Sequence, residues 1–203
     1  MSFHHPFGGW SEGGQGYSSA NSPFSSGPSQ PSIYGALPYV SDPAYPNMVT
    51  FFFTELNPGI LNCTVVNAQA KPVFQIVTDN QMQGYTMIKN AEGRNVSLIE
   101  WQAHPMIEIR GHVSKQYVKN WLGLTSDKSS RTMSVRGMSY IWAPRDKSIN
   151  LYAGGGRNPT LLARINRANG AITLDMTPDA MQLGLLDTAV SAVLLLQCGR
   201  NID

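Results

Sequence analysis

The sequence contains little cysteine and little charge. Its 203 residues include two cysteines, Cys63 and Cys198, which excludes a disulfide-rich secreted scaffold and favours a reducing compartment. We therefore expect a cytoplasmic protein. Charged residues make up 14% of the chain and the formal net charge is +2, far from the strongly basic balance of nucleic-acid-binding domains. No nucleic-acid partner is expected.

The apolar run near the end of the chain, Leu183 to Leu196 (LGLLDTAVSAVLLL), is too short for a membrane anchor. Fourteen helical residues span about 21 Å, whereas the hydrocarbon core of a bilayer is about 30 Å thick. Gly184 and Asp187 also interrupt the run. The opening residues MSFHHPFGGW contain no cationic region leading into an apolar one, so no secretory signal is expected. The sequence predicts neither a transmembrane nor a secreted protein.

Residues 1–48 form a compositionally distinct tail. They contain 24 Gly, Ser or Pro residues, no Lys or Arg, and only Glu12 and Asp42 as charges. Such a segment buries too little apolar surface to offset its chain entropy, so we predict a disordered tail followed by one folded domain, residues 49–203. Spaced aromatic residues in this background can dock a partner. They are Phe3, Phe7, Trp10, Tyr17, Phe24, Tyr34, Tyr39 and Tyr45.

From Val49 onward, short apolar segments alternate with turn signals. Pro72–Thr78 is typical of a strand, Met106–Val113 has a clear period of two, and Asn169-Gly170 is a strong hairpin signal. Ser114 is expected to cap a short helix that follows. We count about eleven strands at regular spacing, which favours a sandwich or a barrel.

The same run, Leu183 to Leu196, is apolar on every side, so we predict a buried central helix. Thr177-Pro178-Asp179 marks the change from strand to helix, because a threonine cap precedes a proline at the first helical position. The preceding strands must leave this helix a cavity. The predicted fold is therefore mainly β, a closed antiparallel barrel of about 11–12 strands around the C-terminal helix.

Residues 50–197 contain several short motifs. Each motif is weak by itself, but their order along the chain is specific. They are Thr50-Phe51-Phe52-Phe53, Ile99-Glu100-Trp101, Ile107-Glu108-Ile109-Arg110-Gly111, Ser130-Arg131-Thr132, Tyr140-Ile141-Trp142, Leu162-Ala163-Arg164 and Leu186-Asp187-Thr188-Ala189-Val190. With these motifs the chain resembles an uncharacterised fungal domain of unknown function, abundant in basidiomycetes and similar to tubby C-terminal and phospholipid-scramblase-like barrels. The resemblance implies a tubby-like barrel around a hydrophobic helix. It implies no activity, and the phosphoinositide-binding cations of tubby proteins have no residue-by-residue match here.

The sequence offers no convincing catalytic or metal site. Cys63 and Cys198 occupy apolar positions, where a thiol usually acts as a small hydrophobe. His104, Glu108 and His112 share one face of a predicted strand, but four strand residues separate neighbours by about 13 Å, too far for one zinc ion. We expect no catalytic residue, metal or cofactor.

The segment from Arg110 to Arg136 is the candidate binding site. Its cations and its tryptophan are Arg110, Lys115, Lys119, Trp121, Lys128, Arg131 and Arg136. Each cation near an anionic membrane contributes about 1 kcal/mol, so the expected partner is an anionic lipid headgroup or an acidic protein, with peripheral membrane association. The alternative is that these cations form only a solvated basic face and that Trp121 fills one end of the barrel.

The leading hypothesis is a non-enzymatic binding module of this kind. The alternative is a structural or protein-interaction module recruited through the aromatic tail, and a third is an enzyme acting at a barrel mouth.

Overall fold

The computed structural model describes residues 47–78, 84–154 and 159–203. Nearly all of the predicted disordered tail therefore lies outside the described residues. The elements are β1 Val49–Thr54, β2 Cys63–Asn67, β3 Pro72–Thr78, β4 Tyr85–Asn90, β5 Asn95–Glu100, β6 Met106–Ile109, β7 Val113–Tyr117, α1 Val118–Trp121, β8 Leu122–Leu124, β9 Arg131–Val135, β10 Met138–Arg145, β11 Ser148–Ala153, β12 Leu161–Ala168, β13 Ala171–Met176, α2 Pro178–Gln182 and α3 Leu186–Gln197.

The strands of the described residues form one antiparallel sheet of thirteen, in the order β7-β6-β5-β4-β3-β2-β1-β13-β12-β11-β10-β9-β8. Almost every neighbour is also the neighbour in sequence, joined by a hairpin. The exception is β1, which pairs with β13 over the register Val49↔Met176 to Phe53↔Ile172 and so joins the two halves of the chain. The prediction of a mainly β, antiparallel fold is confirmed.

The predicted closure into an antiparallel barrel is wrong, because the two edge strands of the described sheet do not pair and strand parity excludes an antiparallel pair between them. The two edge strands, β7 and β8, each lie six antiparallel steps from β1, so both run in the direction of β1. Two strands that run in the same direction cannot form an antiparallel ladder. A parallel pair could still close such a sheet, but among the described strands β7 and β8 are the two unpaired edges of this one. Thirteen strands leave an open seam.

The short helix α1 stands at this seam, because it links the two edge strands directly. β7 ends at Tyr117 and β8 begins at Leu122. The expected helix from Ser114 is thus shorter than predicted, and the long strand Met106–Val113 is two strands. Gly111 has φ = 74° and makes the turn that separates β6 from β7.

The predicted central helix is confirmed as a buried element. Ten consecutive residues of α3, Thr188 to Gln197, are buried, which leaves no solvent-facing stripe, and its apolar side chains belong to one core cluster with the strands. The predicted cap is also present, because the N–H of Ala180 donates to Thr177 Oγ1 at 3.2 Å. Within the described residues, no helix has the length and hydropathy needed to cross a bilayer.

Antiparallel strands place successive loops at alternate ends of the sheet, and α3 runs between those ends. The entry end, where α3 begins, contains residues 68–71, 91–94, 110–112, 136–137 and 177–185. The exit end, where α3 finishes, contains residues 55–62, 101–105, 118–121, 125–130, 146–147, 169–170 and 198–203.

Candidate functional site

The predicted basic segment does not form one surface. Arg110 and Arg136 lie exposed in turns of the entry end, whereas Lys128 lies exposed in a turn of the exit end. The five residues of β9 separate Lys128 from Arg136, a length of about 16 Å. Cations that are close in sequence are therefore divided between opposite ends of the sheet.

Lys115 is matched by a carboxylate on the outer wall. Its Nζ donates to Oε1 of Glu100, a side chain that is itself largely buried. The hydrogen bond to Glu100 raises the pKa of Lys115 above its ordinary value, with a smaller opposing effect from desolvation. Because this pair is neutral as a unit, Lys115 adds little to the attraction of a distant anion.

Trp121 and Arg131, which were predicted as site residues, lie inside the protein and not on its surface. Trp121 is 2% exposed and packs in the core cluster. Arg131 is 1% exposed because β9 alternates between inside and outside and places it on the inner face with Met133 and Val135. Its two terminal nitrogens donate to the two carboxylate oxygens of Asp203, each at 2.8 Å.

Lys119 is exposed and lies beside an aromatic residue. Its Nζ is 5.7 Å from the ring centroid of Tyr117, within the range of a cation–π contact. The ring of His104 meets the same tyrosine edge-on, with centroids 6.4 Å apart. Of the seven predicted residues, Lys119 and Lys128 are thus the exposed cations at the exit end.

Of the described residues, those at the exit end are the more basic. The pairs Lys115–Glu100 and Arg131–Asp203 are left aside, since each is neutral. We count the described residues of the loops together with the two terminal residues of each adjoining strand or helix. The exit end then carries six cations, Lys119, Lys128, Arg145, Lys147, Arg167 and Arg200, against three carboxylates, Glu55, Asp127 and Asp146. By the same count the described part of the entry end carries five cations, Lys71, Lys89, Arg94, Arg110 and Arg136, against five carboxylates, Glu92, Glu108, Asp175, Asp179 and Asp187.

A cavity of about 510 Å³ opens at the exit end, where α3 finishes. Three of its lining residues are buried and form its floor, namely Ile60, Ile172 and Gln197. Exposed lining residues form its rim and include Arg167 and Arg200. Its volume is within the range of small-molecule sites.

Arg200 is oriented by an aromatic platform. Its guanidinium carbon lies 4.6 Å from the ring centroid of Trp101. The indole is itself held in place, because its Nε1 donates to Oγ1 of Thr86 at 2.7 Å. A guanidinium that stacks on a ring keeps its N–H groups in the stacking plane, available to an acceptor at its edge.

Gln197 is the buried polar residue of the cavity. It is 7% exposed, and in the described part of the chain neither amide atom has a hydrogen-bond partner. A buried amide without partners costs about 1–3 kcal/mol per group, so native proteins rarely leave one unmatched.

The two cysteines have no character of catalytic nucleophiles. Burial raises the pKa of the Cys63 thiol to about 12 and also raises the pKa of Cys198, which lines the cavity. Both thiols are therefore protonated at neutral pH. Across residues 47–78, 84–154 and 159–203, no three His, Cys, Asp or Glu side chains converge as metal ligands would.

Arg167, Arg200 and Gln197 were not predicted from the sequence as site residues. Gln197 and Arg200 stand out only weakly, as polar residues just after the apolar run of α3, and Arg167 precedes the Asn169-Gly170 hairpin signal. Nothing in a linear pattern links residue 167 to residue 197. The hairpin of β12 and β13 and the end of α3 meet only in the folded protein.

Comparisons with known proteins were made against families, curated proteins and solved structures. A model described as "Family of unknown function (DUF6593)" matches residues 58–201. No curated protein matches the chain. An X-ray structure of a protein from Arabidopsis thaliana is similar with a TM-score of 0.40 and 14% identity, and the match covers 76% of this chain and 98% of that one.

Proposed function

Since the chain belongs to the family of unknown function DUF6593, whose description names no activity, we propose a function from the geometry: a non-enzymatic module that binds anionic lipid headgroups through its exit end. The observation that carries this proposal is the separation of charge between the two ends. The predicted likeness to tubby and scramblase-like barrels, and a fungal origin, remain predictions.

The energetics favour weak, reversible recruitment. The described residues of the exit end have an excess of three positive charges, and each cation near an anionic surface contributes about 1 kcal/mol. About 3 kcal/mol corresponds to roughly a hundredfold enrichment at a membrane. Because exposed charges are screened over about 8 Å at physiological ionic strength, this binding should weaken steeply with salt.

Vesicle co-sedimentation tests the proposal with two variants of equal charge change. Arg145→Glu/Lys147→Glu reverses two exposed cations of the exit end, and Arg110→Glu/Arg136→Glu reverses two exposed cations of the entry end. On vesicles of phosphatidylcholine and phosphatidylserine at low salt, the exit-end variant should lose about tenfold or more in affinity. The entry-end variant should stay close to the native protein.

Equal losses in both variants would mean that net charge alone attracts the protein, without a preferred face. Unchanged binding in the exit-end variant would refute the proposal. Circular dichroism of both variants provides the folding control, since all four side chains are exposed and their replacement should leave the fold intact.

A further inference from the structure

The cavity at the exit end has the composition of a specific ligand site. Its rim presents two guanidinium groups, Arg167 and Arg200, and its floor combines the apolar side chains of Ile60 and Ile172 with the Gln197 amide. Ligand pockets commonly have such a wall, mostly apolar with a few polar groups that fix the orientation of the ligand.

The unmatched amide is the observation that points to a ligand. Among the cavity residues Gln197 is the one that is both polar and buried, and its amide atoms have no partner within the described residues. An amide can donate through its nitrogen and accept through its oxygen. The last torsion of a glutamine side chain is soft, so the amide can present either its donor or its acceptor to a ligand group.

The rim determines the charge of the ligand. Planar guanidinium groups bind phosphate and carboxylate through paired N–H donors, and the contact with the Trp101 ring holds Arg200 at the rim. An oxygen-bearing group next to the phosphate would then reach the floor and satisfy Gln197. We infer that this cavity binds a phosphate monoester with a neighbouring hydroxyl or ester oxygen, of the glycerol-phosphate type.

The inference rests on the proposed function. If the exit end faces a membrane, the cavity would receive the phosphate monoester from a lipid headgroup. The same chemistry also exists in soluble phosphate esters. A competing explanation is that Arg167 and Arg200 only offset the partial negative charge at the C-terminus of α3. The experiment must separate these cases.

Two probes distinguish the sources of the ligand, glycerol 3-phosphate in solution and vesicles that contain phosphatidic acid. Binding of the first is measured by calorimetry and binding of the second by co-sedimentation, against phosphatidylserine vesicles of equal charge. A soluble ligand predicts saturable binding of glycerol 3-phosphate. A lipid ligand predicts tighter binding to phosphatidic acid than to phosphatidylserine.

Variants of the full chain test the site itself. Arg200→Gln removes a rim cation and Gln197→Leu replaces the unmatched amide by an apolar group of similar size. Each should weaken binding of the preferred probe by about tenfold or more. The matched control Arg145→Gln/Lys147→Gln removes charge from the same end but away from the cavity. It should weaken binding to all anionic vesicles, yet it should change the affinity for glycerol 3-phosphate, and the preference for phosphatidic acid over phosphatidylserine, by less than about twofold.

Stability separates ligand binding from a structural role of the same residues. Gln197→Leu should keep or raise the melting temperature, since it removes a buried amide that has no partner. The thiol of Cys198 lines the cavity and gives a second measurement, because bound ligand should slow its modification by a thiol reagent. Cys63, 5% exposed, should remain unmodified.

Failure of both probes to bind, or equal losses in the rim variant and the control, would overturn the inference. In the second case the exit end would still attract anionic membranes, so the proposed function would stand without a specific cavity. Unchanged vesicle binding in Arg145→Glu/Lys147→Glu, together with saturable binding of glycerol 3-phosphate, would support the cavity alone. The two proposals therefore fail separately.

Discussion

Truncation of one buried leucine in α3 gives the sharpest test of the fold. Leu194 is 0% exposed in the middle of the buried helix, whereas Leu183, in the link before α3, is 45% exposed. Leu194→Ala and Leu183→Ala delete the same atoms from neighbouring parts of the chain. They differ only in what surrounds those atoms.

The expected magnitudes follow from burial. Leu→Ala deletes three carbon groups, each of which contributes about 0.8 kcal/mol when fully buried. At Leu194 this transfer loss of about 2.4 kcal/mol is joined by a cavity that the surrounding core cannot fill, for a total near 4 kcal/mol. At Leu183 roughly half of the transfer loss applies and water fills the space, so we expect about 1 kcal/mol.

Urea unfolding followed by circular dichroism measures both free energies of unfolding. The difference of about 3 kcal/mol should lower the melting temperature of Leu194→Ala by roughly 6–12 °C relative to Leu183→Ala, given a domain of this size. The slope of the unfolding free energy against urea should not change. Similar destabilisation by the two substitutions would show that α3 is not enclosed, and the reasoning would fail.

Two further predictions concern single electrostatic groups. Asp203→Asn removes the carboxylate that accepts hydrogen bonds from both terminal nitrogens of the buried Arg131 guanidinium. It should cost about 2 kcal/mol, less than the loss of one member of a fully buried pair, because the Asp203 side chain is 38% exposed. Arg131→Met should lower the free energy of unfolding in urea by less than Asp203→Asn does. The reverse order would contradict this account. Hydrogen bonds from Thr125 and Ser129 lower the pKa of Asp127 to about 2, below its ordinary value of 3.8. Its stabilising contribution is therefore present above pH 3.8 and lost as the pH falls towards 2. Melting temperatures of Asp127→Asn should fall below those of the native protein at neutral pH and converge with them near pH 2, and a constant difference would contradict the assignment.

Much of the candidate site could not have been predicted from the sequence. The cations of the basic segment are close in sequence, which is why they were predicted as one site. Because the strands alternate in direction, Arg110 and Arg136 lie at the entry end and Lys128 lies at the exit end. Alternation along β9 could have identified Arg131 as inward-facing, since Met133 and Val135 share its phase. Its partner Asp203, 72 positions away, has no such local signal.

The sequence by itself determined the local structure. The strand Pro72–Thr78, the cap at Thr177 and the burial of α3 all follow from periods of two or 3.6 residues and from turn and cap chemistry, which act over a few positions. Those patterns contain no information about whether the two edge strands of the sheet pair with each other. Only the tertiary structure decided that thirteen strands leave a seam, and that Ile60, Arg167 and Gln197 share one cavity. These outcomes depend on contacts between residues more than 100 positions apart, such as the pairing of β1 with β13.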